Sequence, residues 1–155
     1  MTDAVRSLYE ETAGPLGRAL LAWSGSSEVA EEALSEAFAQ LLRRGEGLRD
    51  PKAWVWRTAF RIAAGDLHRR RRAPGELLDV DLAAWGGTGN EEALDLLRAL
   101  AVLTDQQRRC VALVYIADRP ATEAAAILQT SAATVRVQLM RARSRLRREL
   151  TRGEP

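Results

Sequence analysis

The sequence has very little of what disulfides, metal sites and membrane spans require. It contains one cysteine and one histidine among 155 residues, so an intramolecular disulfide is excluded and a zinc site is not expected. No apolar run approaches the roughly 18 residues that a membrane helix needs, and the first residues lack the pattern of a signal peptide. These absences predict a reduced, cytoplasmic protein without membrane insertion. Cys110 stands in an apolar context and is expected to be an ordinary core residue.

Aromatic residues are also scarce, at 5% of the chain. Alanine, leucine, arginine and glutamate dominate, and these residues favour helix over strand. The helical pattern is interrupted by "APGELLDVDLAAWGGTGN", which is rich in glycine. We therefore predict an all-α protein with two small helical domains, residues 1–72 and 91–155, joined by a flexible linker at 73–90. The leucines and acids of this linker leave open whether it contacts a partner or packs on its own domains.

The sequence of the first domain predicts three or four helices separated by breaks. Gly14-Pro15 is expected to kink or break the opening helix. Ser27 is a candidate N-cap for an acidic second helix, and Asp50-Pro51 supplies the cap and first residue of a third. The second helix is expected to turn four apolar residues inward, namely Leu34, Phe38, Leu41 and Leu42.

The second domain has the spacing of a helix-turn-helix. Thr104 and Gln107 match a capping box that opens one helix. A short helix follows, then a tight break at 129–131, and then a long terminal helix. Val135, Leu139, Ala142 and Leu146 recur at helical spacing and predict one apolar seam along this last helix.

Positive charge is concentrated in the terminal helix. Residues 129–155 carry seven arginines and two glutamates, whereas residues 91–128 carry four arginines and six acids. The first two turns of a recognition helix commonly meet the major groove, and arginine and glutamine can read guanine and adenine there. A solvated basic face that packs only on its neighbours is the alternative explanation of the arginines. The candidate DNA-contacting residues are Ser131, Ala132, Ala133, Thr134, Arg136, Val137, Gln138 and Arg141.

No arrangement of residues in the sequence indicates catalysis. The carboxylates fall on predicted helix surfaces, His68 adjoins a run of arginines, and no phosphate-binding glycine loop is present. We therefore expect neither an enzyme nor a bound cofactor.

The second domain resembles region 4 of the extracytoplasmic-function group of bacterial sigma factors. The resemblance rests on "LTDQQRRCVALVYIADRPATEAAAILQTSAATVRVQLMRARSRLRREL". Within it, Gln129 occupies a turn position where the family commonly has glycine. Residues 7–72 resemble region 2 of the same family through "SLYEE", "EEALSEAF" and "LRDPKAWVWRTAFRIAAGDLHRRRR".

The resemblance implies three binding functions. The helix around Glu32, Glu36 and Phe38 would bind bacterial core RNA polymerase. The terminal helix would read the promoter -35 element, and an anti-sigma factor is a further candidate partner. The "RRGEGLRD" loop and the following helix would capture an unstacked base of the -10 element, with Arg49, Asp50, Lys52, Trp56, Arg57 and Arg61 as contacts.

Trp54 and Trp56 are two residues apart and cannot both point into the core of one helix. We expect Trp54 inside and Trp56 nearer the surface, where it either stacks on DNA or packs between helices.

The function implied by the resemblance is that of a sigma factor that directs promoter-specific initiation. The alternatives are a stand-alone helix-turn-helix regulator and a pure protein-interaction module.

Overall fold

The computed structural model describes residues 2–45, 47–74 and 90–152, and over these residues every regular element is helical. The all-α prediction is therefore confirmed. Most of the predicted linker, residues 75–89, lies outside the described residues. No helix in the described part of the chain has the length and apolar character of a membrane span.

The first half of the chain forms three helices. They are α1 (Thr2–Ser24), α2 (Ser27–Arg44) and α3 (Pro51–Arg69). The expected break at Gly14-Pro15 is wrong, since α1 runs through Pro15. Apolar side chains are buried on both sides of the proline, which holds the two halves of α1 in one helix despite the missing backbone donor.

The N-terminal end of α2 differs by one residue from the prediction. Ser26, not Ser27, is the N-cap, because its side chain accepts a hydrogen bond from the Val29 amide. Leu42 is 52% exposed, so its predicted inward orientation is wrong. Phe38 and Leu41 are buried as expected, and Leu34 is half-buried.

The predicted boundaries between α2 and α3 are confirmed. α2 ends at Arg44 and Gly45 follows with φ 78°, a conformation that glycine adopts without strain. Asp50 caps α3 by accepting from the Ala53 amide at 3.1 Å, and Pro51 is the first helical residue.

The second half forms four helices and a π-helical turn. They are α4 (Asn90–Leu100), α5 (Asp105–Val111), the π turn (Ala112–Ile116), α6 (Ala121–Leu128) and α7 (Ala132–Arg152). The capping box of Thr104 and Gln107 is present at the start of α5, as predicted. α5 and α6 both pack against α7.

The two halves share one hydrophobic core. The π turn packs against α1, and α6 packs against α3. Buried residues of α1 and α3, such as Trp23 and Phe60, belong to the same cluster as Leu113 and Ile127. Cys110 lies in this core, and burial raises the pKa of its thiol to about 11. The cysteine is therefore a core residue, as expected.

Candidate nucleic-acid interface

The turn between α6 and α7 has the geometry of a helix-turn-helix. Gln129 ends α6 with φ 56° and ψ 49°, in the left-handed region. The Thr130 amide donates to the Ala125 carbonyl at 2.9 Å, which is the bond that closes a Schellman turn. This turn joins α6 to α7 through the three residues 129–131.

Ser131 caps the start of α7. Its hydroxyl oxygen accepts from the Thr134 amide at 3.0 Å and lies 2.8 Å from the Thr134 hydroxyl. The first amides of a helix have no carbonyl partner within the helix and carry partial positive charge, so this end can accept a phosphate oxygen. The predicted N-cap is confirmed.

One face of α7 is buried and the opposite face is accessible. Val135, Leu139 and Ala142 are buried and Leu146 is half-buried, as the predicted seam requires. Among the predicted DNA contacts, Ala132 and Gln138 are half-buried. The remaining six are exposed, namely Ser131, Ala133, Thr134, Arg136, Val137 and Arg141.

Two of the seven arginines of α7 form ion pairs with another residue of the same helix. Towards its end, Arg145 and Arg152 both lie near Glu149, at 3.7 and 3.6 Å. Within residues 90–152, Arg136 and Arg141 form no ion pair. Arg143, Arg147 and Arg148 likewise form no ion pair within these residues. Unpaired guanidinium groups therefore occur along most of α7, and Arg136 and Arg141 are those nearest its N-terminal end.

The structure reverses the predicted orientations of the two tryptophans of α3. Trp56 is 1% exposed, with the Arg119 guanidinium 5.7 Å from its ring centroid. Trp54 is only half-buried and has the Arg44 guanidinium 5.8 Å from its ring. The expectation that Trp56 lies near the surface is wrong, because Trp56 shares the buried face of α3 with Ala59, Phe60 and Ala63.

Trp54 instead joins the predicted basic residues of α3. Trp54, Arg57 and Arg61 line one cleft of about 350 Å³, closed on its other side by residues that include Gln129. The spacing 54, 57 and 61 places these residues on one helix face, so this face was recognisable in the sequence. Trp54 was missed as a candidate contact because it was expected to lie in the core.

A second cavity lies beside the connection between α2 and α3. It encloses about 680 Å³ and is lined by Val5, Leu8, Leu41 and Leu48, together with polar residues at its rim. The predicted contacts Asp50 and Lys52 belong to that rim. Lys52 pairs with Glu11 at 3.0 Å, and Arg49 is exposed next to the cavity.

The predicted polymerase-binding residues of α2 differ in accessibility. Glu32 is exposed. Glu36 is half-buried and pairs with Arg43 at 2.8 Å, and this hydrogen bond lowers the pKa of the Glu36 carboxyl. Phe38 is buried and meets the ring of Tyr9 edge-on, with centroids 5.0 Å apart. Phe38 therefore cannot be a direct surface contact in this structure.

Part of the basic run after α3 is engaged by acids of the first half. Arg70 lies 3.1 Å from Glu28, 3.2 Å from Asp66 and 4.0 Å from Glu32. The hydrogen bonds that Arg70 donates to Glu28 and Asp66 raise the pKa of Arg70 above its ordinary value. This arginine holds α2 against the end of α3 and is a weaker candidate for DNA than Arg57 or Arg61.

Comparison with protein families identifies the second half of the chain. Residues 93–146 match the family model described as "Sigma-70, region 4". This segment is similar to a sigma-70 region 4 domain. It contains the capping box, the helix-turn-helix and most of α7. No curated relative matches the chain in sequence.

Two solved structures share the fold across the region 4 domain and the first half together. One is CnrH in complex with the cytosolic domain of CnrY, with 22% identity, a TM-score of 0.77, and coverage of 99% of this chain and 92% of that chain. The other is the sigma factor RpoE in complex with the anti-sigma factor NepR from Bartonella quintana, with 18% identity, a TM-score of 0.67, and coverage of 99% and 98%. The family match confirms the resemblance of the second half to sigma-70 region 4, and the two structures show that the chain shares their fold.

The turn of the region 4 domain provides a test of the helix-turn-helix geometry. A side chain in the left-handed conformation is strained and glycine is not. Gln129→Gly should therefore stabilise the protein by about 1 kcal/mol, measured as the free energy of unfolding in urea. The matched control Gln138→Gly lies inside α7 and should destabilise it by about 1 kcal/mol. Destabilisation by both substitutions would exclude the left-handed turn.

Proposed function

We propose that this chain is an RNA polymerase sigma factor that binds core polymerase and directs initiation by contacting the -10 and -35 promoter elements. The observation that carries the proposal is the helix-turn-helix within the region 4 match, whose terminal helix has Arg136 and Arg141 exposed outside its buried seam. Two DNA-binding surfaces on one chain also make the second contact effectively intramolecular, so moderate affinities suffice.

The start of α7 would read the -35 element in the major groove. Arg136 can bind guanine O6 and N7 in a bidentate way, and Gln138 can pair with adenine. Ala132 and Ala133 are small enough to allow the backbone close to the DNA. The capped end of the helix, with Ser131 and Thr134, would bind a backbone phosphate and fix the position of α7 in the groove.

The -10 element would be bound by α3 and the connection before it. Arg57 and Arg61 form no ion pair with another described residue and are suited to following the phosphates of a single strand. Trp54 offers a partly exposed ring on the same cleft, which suits stacking on a base. The apolar cavity beside residues 47–52 has room for an unstacked base.

The exposed face of α2 would bind core polymerase. Glu32 supports this proposal directly because its carboxylate is accessible to a basic partner. Phe38 would act indirectly by supporting Tyr9, whose side chain is 46% exposed. Leu42, at 52% exposed, adds apolar surface near the end of the same helix.

An anti-sigma factor is the further partner that we propose. RpoE, which shares the fold over 99% of this chain, is bound in its structure to the anti-sigma factor NepR, and CnrH is bound to the cytosolic domain of CnrY. Since both halves of this chain share that fold, a regulatory protein of the same kind could engage them both.

Transcription in vitro tests the function. Purified core polymerase, supplied with fragments of the source genome, should yield promoter-dependent transcripts only when this protein is added. The control is the same reaction with Glu32→Ala and Glu36→Ala combined, which should reduce transcript yield. Absence of any transcript, together with binding of the protein alone to palindromic duplexes, would instead indicate a stand-alone regulator.

Residues at the start of α7 should differ from arginines near its end in their effects on DNA binding. Arg136→Ala or Gln138→Ala should cost about 1–3 kcal/mol on the preferred -35 duplex and relax the preference at one position. Arg147→Ala or Arg148→Ala should weaken binding equally on all sequences. Each should also reduce, by about one, the slope of the logarithm of the binding constant against the logarithm of the salt concentration. Fluorescence anisotropy with single-base variants of the -35 duplex, at several salt concentrations, measures the affinity, the sequence preference and the salt dependence. Equal losses on every sequence from all four substitutions would contradict the division.

A further inference from the structure

The cleft between α3 and the end of α6 carries positive charge. It encloses about 350 Å³, and α3 contributes Trp54, Arg57 and Arg61 to its lining. Gln129 lines it from the turn after α6, and Arg109 lines it from α5. Among the described residues, no carboxylate lines this cleft. Its volume lies near the lower end of the range for small-molecule sites, so it suits one small anionic ligand.

Arg57 and Arg61 form no ion pair with another described residue. They are four residues apart, so their side chains leave α3 on the same face. Like charges at this spacing repel each other, and a phosphate group bound between them would offset the repulsion. Arginine binds phosphate through two parallel hydrogen bonds, which fixes the orientation of the ligand. Arg109 adds charge only, because its guanidinium already pairs with Asp105 at 3.2 Å.

An aromatic ring lies beside these arginines. Trp54 precedes Arg57 by three residues and is only half-buried. The Arg44 guanidinium, 5.8 Å from the centroid of the Trp54 ring, adds a further positive charge near it. Aromatic side chains stack on nucleobases, and arginines bind phosphate groups. The two kinds of side chain together match a ligand that contains both a base and phosphates.

Gln129 has a strained backbone and a free side chain at this cleft. Its φ of 56° and ψ of 49° lie in the left-handed region, which a glycine would adopt without strain. Backbone strain of this kind occurs where a particular side chain is needed for function. The amide of Gln129 forms no hydrogen bond with another described residue. A glutamine amide can donate to N7 of adenine and accept from its N6 amino group.

We propose that this cleft binds a free adenine nucleotide with two or more phosphate groups. The adenine stacks on Trp54, and the amide of Gln129 pairs with its N6 and N7. Arg57 and Arg61 bind the phosphates. The site requires no promoter DNA, so this inference stands independently of the proposed function. Only one consequence rests on that function, namely that the nucleotide competes with a DNA strand for the same side chains of α3.

Isothermal titration calorimetry of the full-length protein tests the site, with ADP as the probe. ADP should bind about tenfold more tightly than GDP, adenosine or inorganic pyrophosphate. The reason is that these three compounds lack, respectively, the adenine edge, the phosphates and the base. Binding of pyrophosphate as tight as that of ADP would show that the base makes no contact, and would overturn the proposal.

Variants of α3 separate stacking from charge. Trp54→Leu should weaken ADP binding about tenfold, whereas Trp54→Phe should retain most of it, since phenylalanine also stacks on a base. Arg57→Gln should weaken ADP binding about tenfold. The matched control Arg6→Gln removes the same charge from an exposed position of α1 and should leave it unchanged. Circular dichroism checks that helix content is the same in each variant.

Gln129→Gly provides a measurement that a purely structural role of this glutamine would not affect. The glycine relieves the backbone strain, so the variant should resist urea better than the unmodified protein. It should nevertheless lose the preference for ADP over GDP, because the amide that reads adenine is gone. A more stable variant that keeps the full preference would overturn the role of Gln129.

The remaining outcomes distinguish the nucleotide site from the proposed function. Absence of ADP binding at about 1 mM, or equal losses in Arg57→Gln and Arg6→Gln, would overturn the site. In a second measurement, ADP should displace a fluorescein-labelled single-stranded oligodeoxynucleotide from the protein. If ADP binding responds to the variants but no strand is bound or displaced, the nucleotide site is supported, and the assignment of this face of α3 to the -10 element fails.

Discussion

The hydrogen bond from the Trp23 indole to Asp105 links residues 82 positions apart, and the arrangement of the two halves depends on it and its neighbours. α1 supplies a helix end with unpaired carbonyls, and α5 supplies the arginines and the carboxylate that meet it. The shared core then extends from this junction through the π turn to α6 and α3. The position of every proposed DNA contact in the first half relative to α7 follows from this contact.

Each proposed DNA-binding surface lies on a helix that has one buried face and one basic face. On α7, Val135, Leu139 and Ala142 hold the helix while the arginines face outward. On α3, Trp56 and Phe60 hold the helix, whereas Trp54, Arg57 and Arg61 line the cleft. The chemistry of both surfaces is therefore set by helical periodicity, which fixes which side chains remain available after packing.

The sequence was most informative where a local signal determines the structure. The caps at Asp50, Thr104 and Ser131 and the turn at Gln129 follow from neighbouring residues, and the helix-turn-helix was predictable for that reason. Continuity of α1 through Pro15 and the burial of Trp56 depend instead on contacts between distant helices. Such contacts leave no local signal, so the burial of Trp56 and the junction at Trp23 were not predicted. The position of Trp54 was predictable, since its spacing from Arg57 and Arg61 places the three residues on one helix face.

The most direct test of this account is a double-mutant cycle between the two halves. Trp23→Phe keeps an aromatic ring but removes the donor, and Asp105→Ala removes the acceptor. Unfolding in urea of the two single variants and the double variant gives the coupling free energy. A coupling of about 1 kcal/mol is expected if the halves are joined in solution as they are in the structure. Additive effects, within about 0.3 kcal/mol, would contradict the joined arrangement.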